Sequence, residues 1–246
     1  MTLRITTLAE RREFADSVWD MQSSWAEFMH NDPIAGLYYP IARTAYADCV
    51  LVADDDAEPG RLVAKSCMVP FASGGGELPD DGWDAAIRKG WLTREKGLKA
   101  DAVSALEITI RNDLLGGGLS GKMLAAMRDN AARLGFTELL APVRPNQKHL
   151  EPRVPMSEYA FRTREDGLPY DAWLRVHVRA GAKIVKVAPR SMTVAGTLAE
   201  WRAWTGLSFD ATGPLEVPKA LVPVHVDVEH DHAVYVEPNV WVSHPL

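Results

Sequence analysis

The pattern of apolar and polar positions is clearest in the middle of the chain, over residues 106–136. At its start, Ile108 and Ile110 alternate with polar residues, as in a β-strand with one buried face. Three glycines at 116–118 interrupt this pattern, and apolar residues then recur at helical spacing until Gly135, where a helix would end. The stretch therefore predicts a strand, a glycine-rich loop and a helix.

Apolar runs elsewhere predict the remaining elements. Thr7 could cap a helix that starts at Leu8, with Glu10 completing a capping box. Residues 31–47 are expected to form a loop or a broken second helix. We expect further helices at residues 170–180 and 197–205, and strands at residues 3–7, 48–54, 61–71, 137–143, 182–188, 221–228 and 233–242.

The composition is that of a folded, acidic protein. The chain has 246 residues, of which 47% are hydrophobic, and its net charge is −6. This length suits one large domain or one domain with an appendage. Nucleic-acid binders usually carry a basic stripe, and the acidic balance argues against that class.

The cysteines and the N-terminal sequence bear on the cellular compartment. Cys49 and Cys67 both lie within apolar runs, which suits reduced core thiols better than a disulfide framework. Residues 1–14 lack the apolar block of a signal peptide, and no stretch approaches the ~18 apolar residues of a spanning helix. We expect a cytoplasmic protein with no membrane partner.

The glycine-rich loop is the main candidate for a binding site. Glycines between a strand and a helix let backbone N–H groups approach an anion, and the helix dipole adds to the attraction. The expected ligand is a phosphate or pyrophosphate, and the alternative is a tight turn kept for packing. Gly116, Gly121 and Lys122 also fit a P-loop frame, but Met123 replaces the Ser or Thr that binds Mg²⁺, so we interpret that match as accidental.

The same loop resembles the acetyl-CoA signature Q/R-x-x-G-x-G/A of the GCN5-related N-acetyltransferase (GNAT) superfamily. Gly118 supplies the central glycine, while Leu115 replaces Gln or Arg and Ser120 replaces Gly or Ala. Glu107 opens the preceding strand, as in many members, and an apolar strand follows the helix. The resemblance extends over roughly residues 1–190.

This resemblance implies an α/β (α+β) fold with a central mixed, mostly antiparallel sheet flanked by helices. We expect a single GNAT-like acyltransferase domain over residues 1–246. Residues 72–102 would be an insertion that could act as a lid. Residues 189–246 would form a C-terminal helix and hairpin extension that completes the sheet.

The resemblance also implies acetyl-CoA as acyl donor. Backbone N–H groups near Thr109 and Ile110 would hold the thioester oxygen, and Asn146 would contact the pantetheine arm. Arg144 and Lys148 could pair with the CoA phosphates or be surface charges. The pyrophosphate would lie on Gly116, Gly117, Gly118, Leu119, Ser120, Gly121 and Lys122.

Transfer to an amine requires a base, and a protonated leaving thiol helps. Glu107 is the candidate base by position, and the alternative is a structural ion pair or an exposed strand residue. Tyr170, Tyr159 and His177 are candidates to protonate sulfur. Aligning Gly181 with the family's C-terminal glycine places His177 where a tyrosine often acts, although it could also be an ordinary helix-face histidine.

Residues 31–47 would wall the acceptor pocket, where Asp32 and tyrosine hydroxyls could hold a cationic amine; alternatively, the tyrosines anchor a surface loop. The segment HVDVEHDH around His230 could suggest a metal, but we interpret it as a hairpin tip and expect no metal.

The sequence thus predicts an acetyl-CoA-dependent N-acetyltransferase that transfers an acyl group directly to an amine of a small molecule or peptide. The alternative is a catalytically silent GNAT-like protein that binds CoA as a sensor or scaffold. We expect no nucleic-acid partner, and a homodimer could form.

Overall fold

A computed structural model describes residues 3–22 and 25–246, and it is built around a nine-stranded sheet. The strands are β1 (Leu3–Thr7), β2 (Val50–Asp55), β3 (Glu58–Phe71), β4 (Ala102–Ile110), β5 (Glu138–Val143), β6 (Lys183–Gly196), β7 (Gly213–Leu215), β8 (Val224–Asp227) and β9 (His232–Pro245). The α-helices are α1 (Ala35–Ala42), α2 (Gly82–Glu95), α3 (Leu119–Arg133), α4 (Met156–Tyr159), α5 (Ala172–Arg179) and α6 (Leu198–Thr205). Short 3₁₀ turns lie at Arg12–Phe14, Ser17–Trp19, Glu27–Asn31, Ala47–Cys49, Asn112–Leu114 and Lys148–Leu150.

The order of the strands confirms the predicted fold class. The sheet runs β1-β2-β3-β4-β5-β9-β8-β7, and β6 also pairs with β9. Every pairing is antiparallel except that of β4 with β5. The C-terminal extension contributes α6 and β7 to β9, and β9 lies between β5 and β6, near the middle of the sheet.

The β4–β5 pairing is the feature that positions the site. These parallel strands share a single paired position, Ser104 with Leu140, and then diverge. A bulge at Leu106 also shifts the register of β4 against β3, because Cys67 pairs with Glu107 and Met68 pairs with Ala105. Bulges re-aim neighbouring side chains and are frequent beside active sites. The divergence leaves an opening in the sheet next to this bulge.

Alternation along β2 shows how the sheet divides the core. Val50 and Val52 belong to an aromatic-rich cluster on one face, which also includes residues of α1, α2 and α6. Leu51 and Ala53 point to the other face, where α3 packs. This period of two is the expected consequence of strand geometry.

The predicted helix from Leu8 is wrong, although its capping box forms. Thr7 N–H donates to Glu10 Oε2 at 2.8 Å, and Glu10 N–H donates to Thr7 Oγ1 at 3.2 Å. The next residues form 3₁₀ turns instead of one α-helix. Leu8 N–H donates to the Val50 carbonyl at 2.8 Å, which keeps the backbone on the edge of β2.

Residues 72–102, expected to be an insertion that could act as a lid, contain α2. Trp83, Ala86 and Ile87 of this helix are buried in the core. Trp83 is fixed twice: its backbone N–H donates to Ser191 Oγ at 2.8 Å, and its indole N–H donates to the Leu106 carbonyl at 3.0 Å. The helix therefore forms part of a wall of the site described below.

No helix within residues 3–22 and 25–246 is both long and apolar enough to cross a membrane.

Candidate active site

Two cavities meet at the bulge of β4. The first, called here the strand cleft, has a volume of about 420 Å³ and lies where β4 and β5 diverge. The second, called the aromatic cavity, has a volume of about 710 Å³ and lies between α1, α2 and the sheet. Trp25, Leu106 and Glu107 line both cavities. A molecule in the cleft and a molecule in the aromatic cavity would thus approach each other at Glu107.

The strand cleft brings together several residues that the sequence marked as donor-binding. Thr109 and Ile110 of β4, Ser120 in the first turn of α3, and Asn146 after β5 all line it. Leu115, which stands where the family signature has Gln or Arg, is 60% exposed and also lines the cleft. These residues come from three elements that meet because β4 and β5 separate.

The glycine-rich loop leads into α3 beside this cleft. Gly116 and Gly118 have φ values of 80° and 75°, in the left-handed region that favours glycine. Gly118 is the N-cap of α3, and no side chain caps the helix there. A Cβ added at Gly116, Gly118 or Gly121 would meet nothing within 4 Å, so the loop presents an open surface. Uncapped N–H groups and an open backbone fit a pyrophosphate.

The other members of the predicted loop have different surroundings. Gly117 lies next to the loop's own Leu114 carbonyl, which a Cβ would approach to 3.4 Å. The Leu119 side chain is buried in the core, so it can offer only its backbone to a ligand. Lys122 is exposed on the second turn of the helix.

The two cations that could have held CoA phosphates are engaged elsewhere. Lys148 is fully buried, and its Nζ donates to the Glu151 and Leu221 carbonyls, both at 2.7 Å. The expectation that it pairs with phosphate or is a surface charge is therefore wrong. Arg144 lines the cleft, but its Nε donates to Glu237 at 3.0 Å and its Nη2 to the Lys219 carbonyl at 2.6 Å.

Glu107 lies in the wall shared by the two cavities, within a buried group of polar side chains. Lys65 Nζ is 3.0 Å from its Oε1, and Cys67 Sγ donates to the same oxygen at 3.4 Å. Burial is the largest single influence and would lower the pKa of Lys65, but the charge and hydrogen bond of Glu107, together with Cys67 and Tyr39, outweigh it and raise that pKa, so Lys65 is an ammonium. Burial and the charge of Glu107 raise the pKa of Cys67 well above the usual range, so it stays a thiol.

Sequence reasoning missed Lys65. The available signal was a single lysine in the middle of an otherwise apolar strand, where a buried charge requires a partner. Its ammonium also lies 5.2 Å from the centre of the Trp19 ring, which lines the aromatic cavity. Lys65 thus contacts both the candidate base and the cavity wall.

The structure does not bring His177 or Tyr170 to Glu107, and neither lines the cleft or the aromatic cavity. His177 is buried, and its Nδ1 lies 2.9 Å from His244 Nε2. Burial and the neighbouring His244 lower the pKa of His177 to about 3, so it is neutral. Tyr170 is 46% exposed and packs edge-on against Tyr159, whose hydroxyl donates to Asp171 Oδ2 at 3.1 Å. Tyr159, too, lies outside both cavities.

Tyrosines of α1 line the aromatic cavity instead. Tyr38 is buried and its hydroxyl donates to the Met68 carbonyl at 3.1 Å, whereas Tyr39 is 42% exposed. Asp32, just before α1, also lines the cavity. Residues 31–47 therefore form a wall of the cavity that adjoins the strand cleft.

Asp32 belongs to a pair of buried carboxyl groups. Its Oδ1 accepts from the N–H groups of Ile34 at 2.7 Å and Ala35 at 3.3 Å. Asp84, in the first turn of α2, is its carboxyl neighbour and lines an adjacent side cavity of about 490 Å³. Burial, and then the charge of Asp32, raise the pKa of Asp84 to about 8. At neutral pH the pair therefore holds a proton.

The histidine-rich segment near the C-terminus forms the turn between β8 and β9. His230 Nδ1 lies 2.9 Å from Asp227 Oδ2, and both side chains are at the surface end of the hairpin. In the part of the chain that the structure describes, no three His, Cys, Asp or Glu side chains are grouped to hold a metal ion.

No protein-family profile matches the sequence. A curated relative, the arginine N-acetyltransferase avaD of Aspergillus versicolor, is 31% identical over 272 aligned positions, covering 98% of this chain and 93% of the relative. The loading GNATL domain of CurA from Lyngbya majuscula superposes with a TM-score of 0.57 at 16% identity, over 99% of this chain and 96% of that one. The GphF GNAT-like decarboxylase in complex with isobutyryl-CoA gives a TM-score of 0.51 at 13% identity, over 100% and 99% of the two chains.

The fold, the cleft beside an uncapped helix and the curated relative define an acyl-CoA-dependent N-acetyltransferase. Since the relative aligns along almost the whole chain at 31% identity, the protein belongs to the GNAT superfamily.

Proposed function

We propose that the protein transfers the acetyl group of acetyl-CoA to an amine of arginine, or of a small molecule that carries an arginine side chain. The observation that carries this proposal is the position of Glu107 in the wall common to the strand cleft and the aromatic cavity. A donor in the cleft and an acceptor in the cavity would meet beside one carboxylate. The name of the curated relative supports arginine as the acceptor.

In this proposal the donor lies along the strand cleft. The open loop at Gly116–Gly118 and the first turn of α3 would hold the pyrophosphate, because its N–H groups are uncapped. Asn146 would contact the pantetheine arm, and the backbone near Thr109 would hold the thioester oxygen as charge develops on it. The acetyl group would then reach the bulge at Leu106.

Glu107 would act as the base. An amine arrives as an ammonium, and Glu107 takes one proton from it, so that the neutral nitrogen can attack the thioester carbon. The new C–N bond forms, the C–S bond breaks, and the second nitrogen proton leaves with the thiolate sulfur or to water. Because a thiol pKa is near 8.5, the thiolate is already a fair leaving group and acid catalysis contributes less than positioning. Lys65, whose Nζ lies 3.0 Å from Glu107 Oε1, would hold that side chain in position while the acceptor approaches.

The test is release of free CoA from acetyl-CoA in the presence of arginine, with and without Glu107→Gln. We expect the wild type to form acetylarginine, detected by mass spectrometry, and the variant to lose roughly 10²–10⁴-fold in kcat. Acetyl-CoA affinity should stay within about threefold, because the amide keeps the size of the side chain.

Two results would oppose the proposal. If Glu107→Gln retains full kcat, Glu107 is not the base. If the wild type binds acetyl-CoA but transfers it to no member of an amine panel that includes arginine, the silent CoA-binding alternative is favoured.

A further inference from the structure

The carboxylate of Asp32 is unusual among the charges that line the aromatic cavity, because no cation pairs with it. Lys65 is paired with Glu107 at 3.0 Å, and Arg43 lies 3.7 Å from Asp16. Within residues 3–22 and 25–246, no ion pair involves Asp32, which is only 4% exposed. A buried carboxylate without a cation is unfavourable unless it takes up a proton or a cation binds.

The hydrogen bonds of the Asp32–Asp84 pair depend on the proton that the two groups share. Asp32 Oδ1 is satisfied by backbone N–H groups, but Asp32 Oδ2 has no partner other than the Asp84 carboxyl group. Asp84 is likewise 4% exposed, and its Oδ1 has no further partner either. Two carboxyl groups from separate elements, α2 and the segment before α1, therefore share one proton, with Asp32 lining the aromatic cavity and Asp84 lining the side cavity.

We propose that Asp32, with Asp84 behind it, is the anchor for the guanidinium group of the acceptor, in a subsite of the aromatic cavity. This inference rests on the proposed function and names the part of the site that selects the acceptor. A guanidinium is planar, always charged and presents several N–H donors, so it can satisfy two carboxyl groups at once. It is also weakly hydrated and packs on aromatic rings, which the cavity supplies in Trp19, Trp25 and Trp83.

Because the pair shares a proton, binding of a guanidinium in this subsite should release a proton that can be measured. Without a cation, one proton offsets the repulsion between Asp32 and Asp84. A bound guanidinium would replace that proton, which leaves to solvent. The other charged groups around the pair are Asp81, just before α2, Arg88 of α2 and Arg190 of β6, which line the side cavity. Arg88 forms an ion pair with Asp81, and Arg190 forms one with Asp80. The charge of Arg88 lowers the pKa of Asp84, but burial and the charge of Asp32 outweigh it.

The first test compares arginine with citrulline, which has nearly the same shape but a neutral urea group in place of the guanidinium. For the wild type we expect kcat/KM for arginine to exceed that for citrulline by at least about 30-fold, the effect of losing a buried charge partner. Asp32→Asn should remove most of this preference, mainly through KM. Asp56→Asn, an exposed carboxylate of the β2–β3 turn, is the control and should leave the preference intact.

The second test measures proton release and does not depend on turnover. Calorimetric titration of the CoA-bound protein with arginine, at pH 7 in two buffers of different ionisation enthalpy, should show release of up to one proton. Citrulline should release none, and Asp84→Asn should abolish the release with arginine. Titration with CoA checks that each variant is folded, and if Asp32→Asn does not fold, the wild-type and Asp84→Asn titrations decide the question.

The outcomes separate the two proposals. Retention of the arginine preference in folded Asp32→Asn, or arginine binding without proton release, overturns the guanidinium subsite while amine acetylation stands. Efficient acetylation of amines that lack a guanidinium, with arginine a poor acceptor, also overturns it. Failure of the wild type to acetylate any amine defeats the proposed function itself.

Discussion

The strand cleft and the aromatic cavity meet at Glu107, but the protein builds them in different ways. The cleft follows mainly from the backbone geometry of residues 102–133 and β5, and side chains such as Trp25 and Trp173 line it from other segments. The aromatic cavity is assembled from side chains of segments far apart in sequence, and its charges are set by pairs such as Lys65–Glu107 and Asp32–Asp84. Substitutions that change side-chain size should therefore have the larger effect in the strand cleft, and substitutions that change charge should have the larger effect in the aromatic cavity.

The first expected effect, on donor binding, comes from filling the cleft. Ser120 is half-buried and lines it, so Ser120→Trp should place an indole where the donor lies. Overpacking of this kind costs roughly 1–3 kcal/mol, which corresponds to about a 5- to 150-fold loss of acetyl-CoA affinity. Calorimetric titration with acetyl-CoA measures it. Ala125→Trp, on the exposed side of the same helix, is the control; equal affinity for both variants would place the donor elsewhere.

The next prediction concerns the Lys65–Glu107 ion pair in the wall of the aromatic cavity and its contribution to the free energy of unfolding. Lys65 is 5% exposed, and Lys65→Met leaves Glu107 without its cation. Breaking a buried pair on one side typically lowers the free energy of unfolding by about 3–5 kcal/mol. Urea denaturation measures this loss.

A double variant separates stability from chemistry. Lys65→Met with Glu107→Leu should regain most of the lost stability, because apolar replacements remove both charges, yet it should not transfer acetyl groups. Transfer by the double variant would show that Glu107 is dispensable.

A smaller effect, on the pH dependence of stability, is expected at His177 and His244, which line neither cavity. Burial, together with charged or polar neighbours, lowers the pKa of His177 to about 3 and that of His244 to about 4, both from 6.5. The folded protein keeps both neutral while the unfolded chain takes up protons, so their contribution is complete above about pH 6.5 and is lost as pH falls. Lowering the pH from 6.5 to 5 costs up to about 2 kcal/mol for each of the two histidines.

Thermal unfolding as a function of pH checks this prediction. His177→Phe should flatten the acid side of the profile, whereas His225→Ala, at an exposed position, should not change it. An acid profile unaffected by His177→Phe would show that other groups govern it.

The smallest effect is expected at Tyr170. Because its ring lies outside both cavities and is 46% exposed, Tyr170→Phe should change kcat by less than about twofold. Steady-state kinetics with arginine and acetyl-CoA decide the matter. A hundredfold loss would instead support Tyr170 as the group that protonates sulfur.

These differences explain what the sequence could predict. Strand periodicity, three glycines and a helical repeat are adjacent in the sequence, so the loop and α3 were predicted with nearly their observed bounds. The predicted strand began at Leu106, whereas β4 begins at Ala102. Thr109, Ile110, Ser120 and Asn146 line the cleft as a consequence of that local order. Their roles in binding stay predictions until the donor is titrated.

The cavity was harder to predict because its partners are distant in sequence. The residues adjacent to Lys65 and Glu107 in the sequence do not indicate that the two pair, and Asp84 lies within residues 72–102, which were expected to be an insertion. The helix expected from Leu8 failed for a related reason: tertiary pairing with β2 outweighed a correct capping signal.

The divergence of β4 and β5 has a mechanical consequence. In the part of the chain that the structure describes, β4 and β5 share one paired position. The sheet therefore consists of two halves, β1 to β4 and β5 to β9, that pair with each other at that position only. The first half carries α1, α2 and α3 between or after its strands, and the second carries α4, α5 and α6. A donor lying between β4 and β5 would contact both halves, so that the bound substrate would fill the gap in the sheet during the reaction.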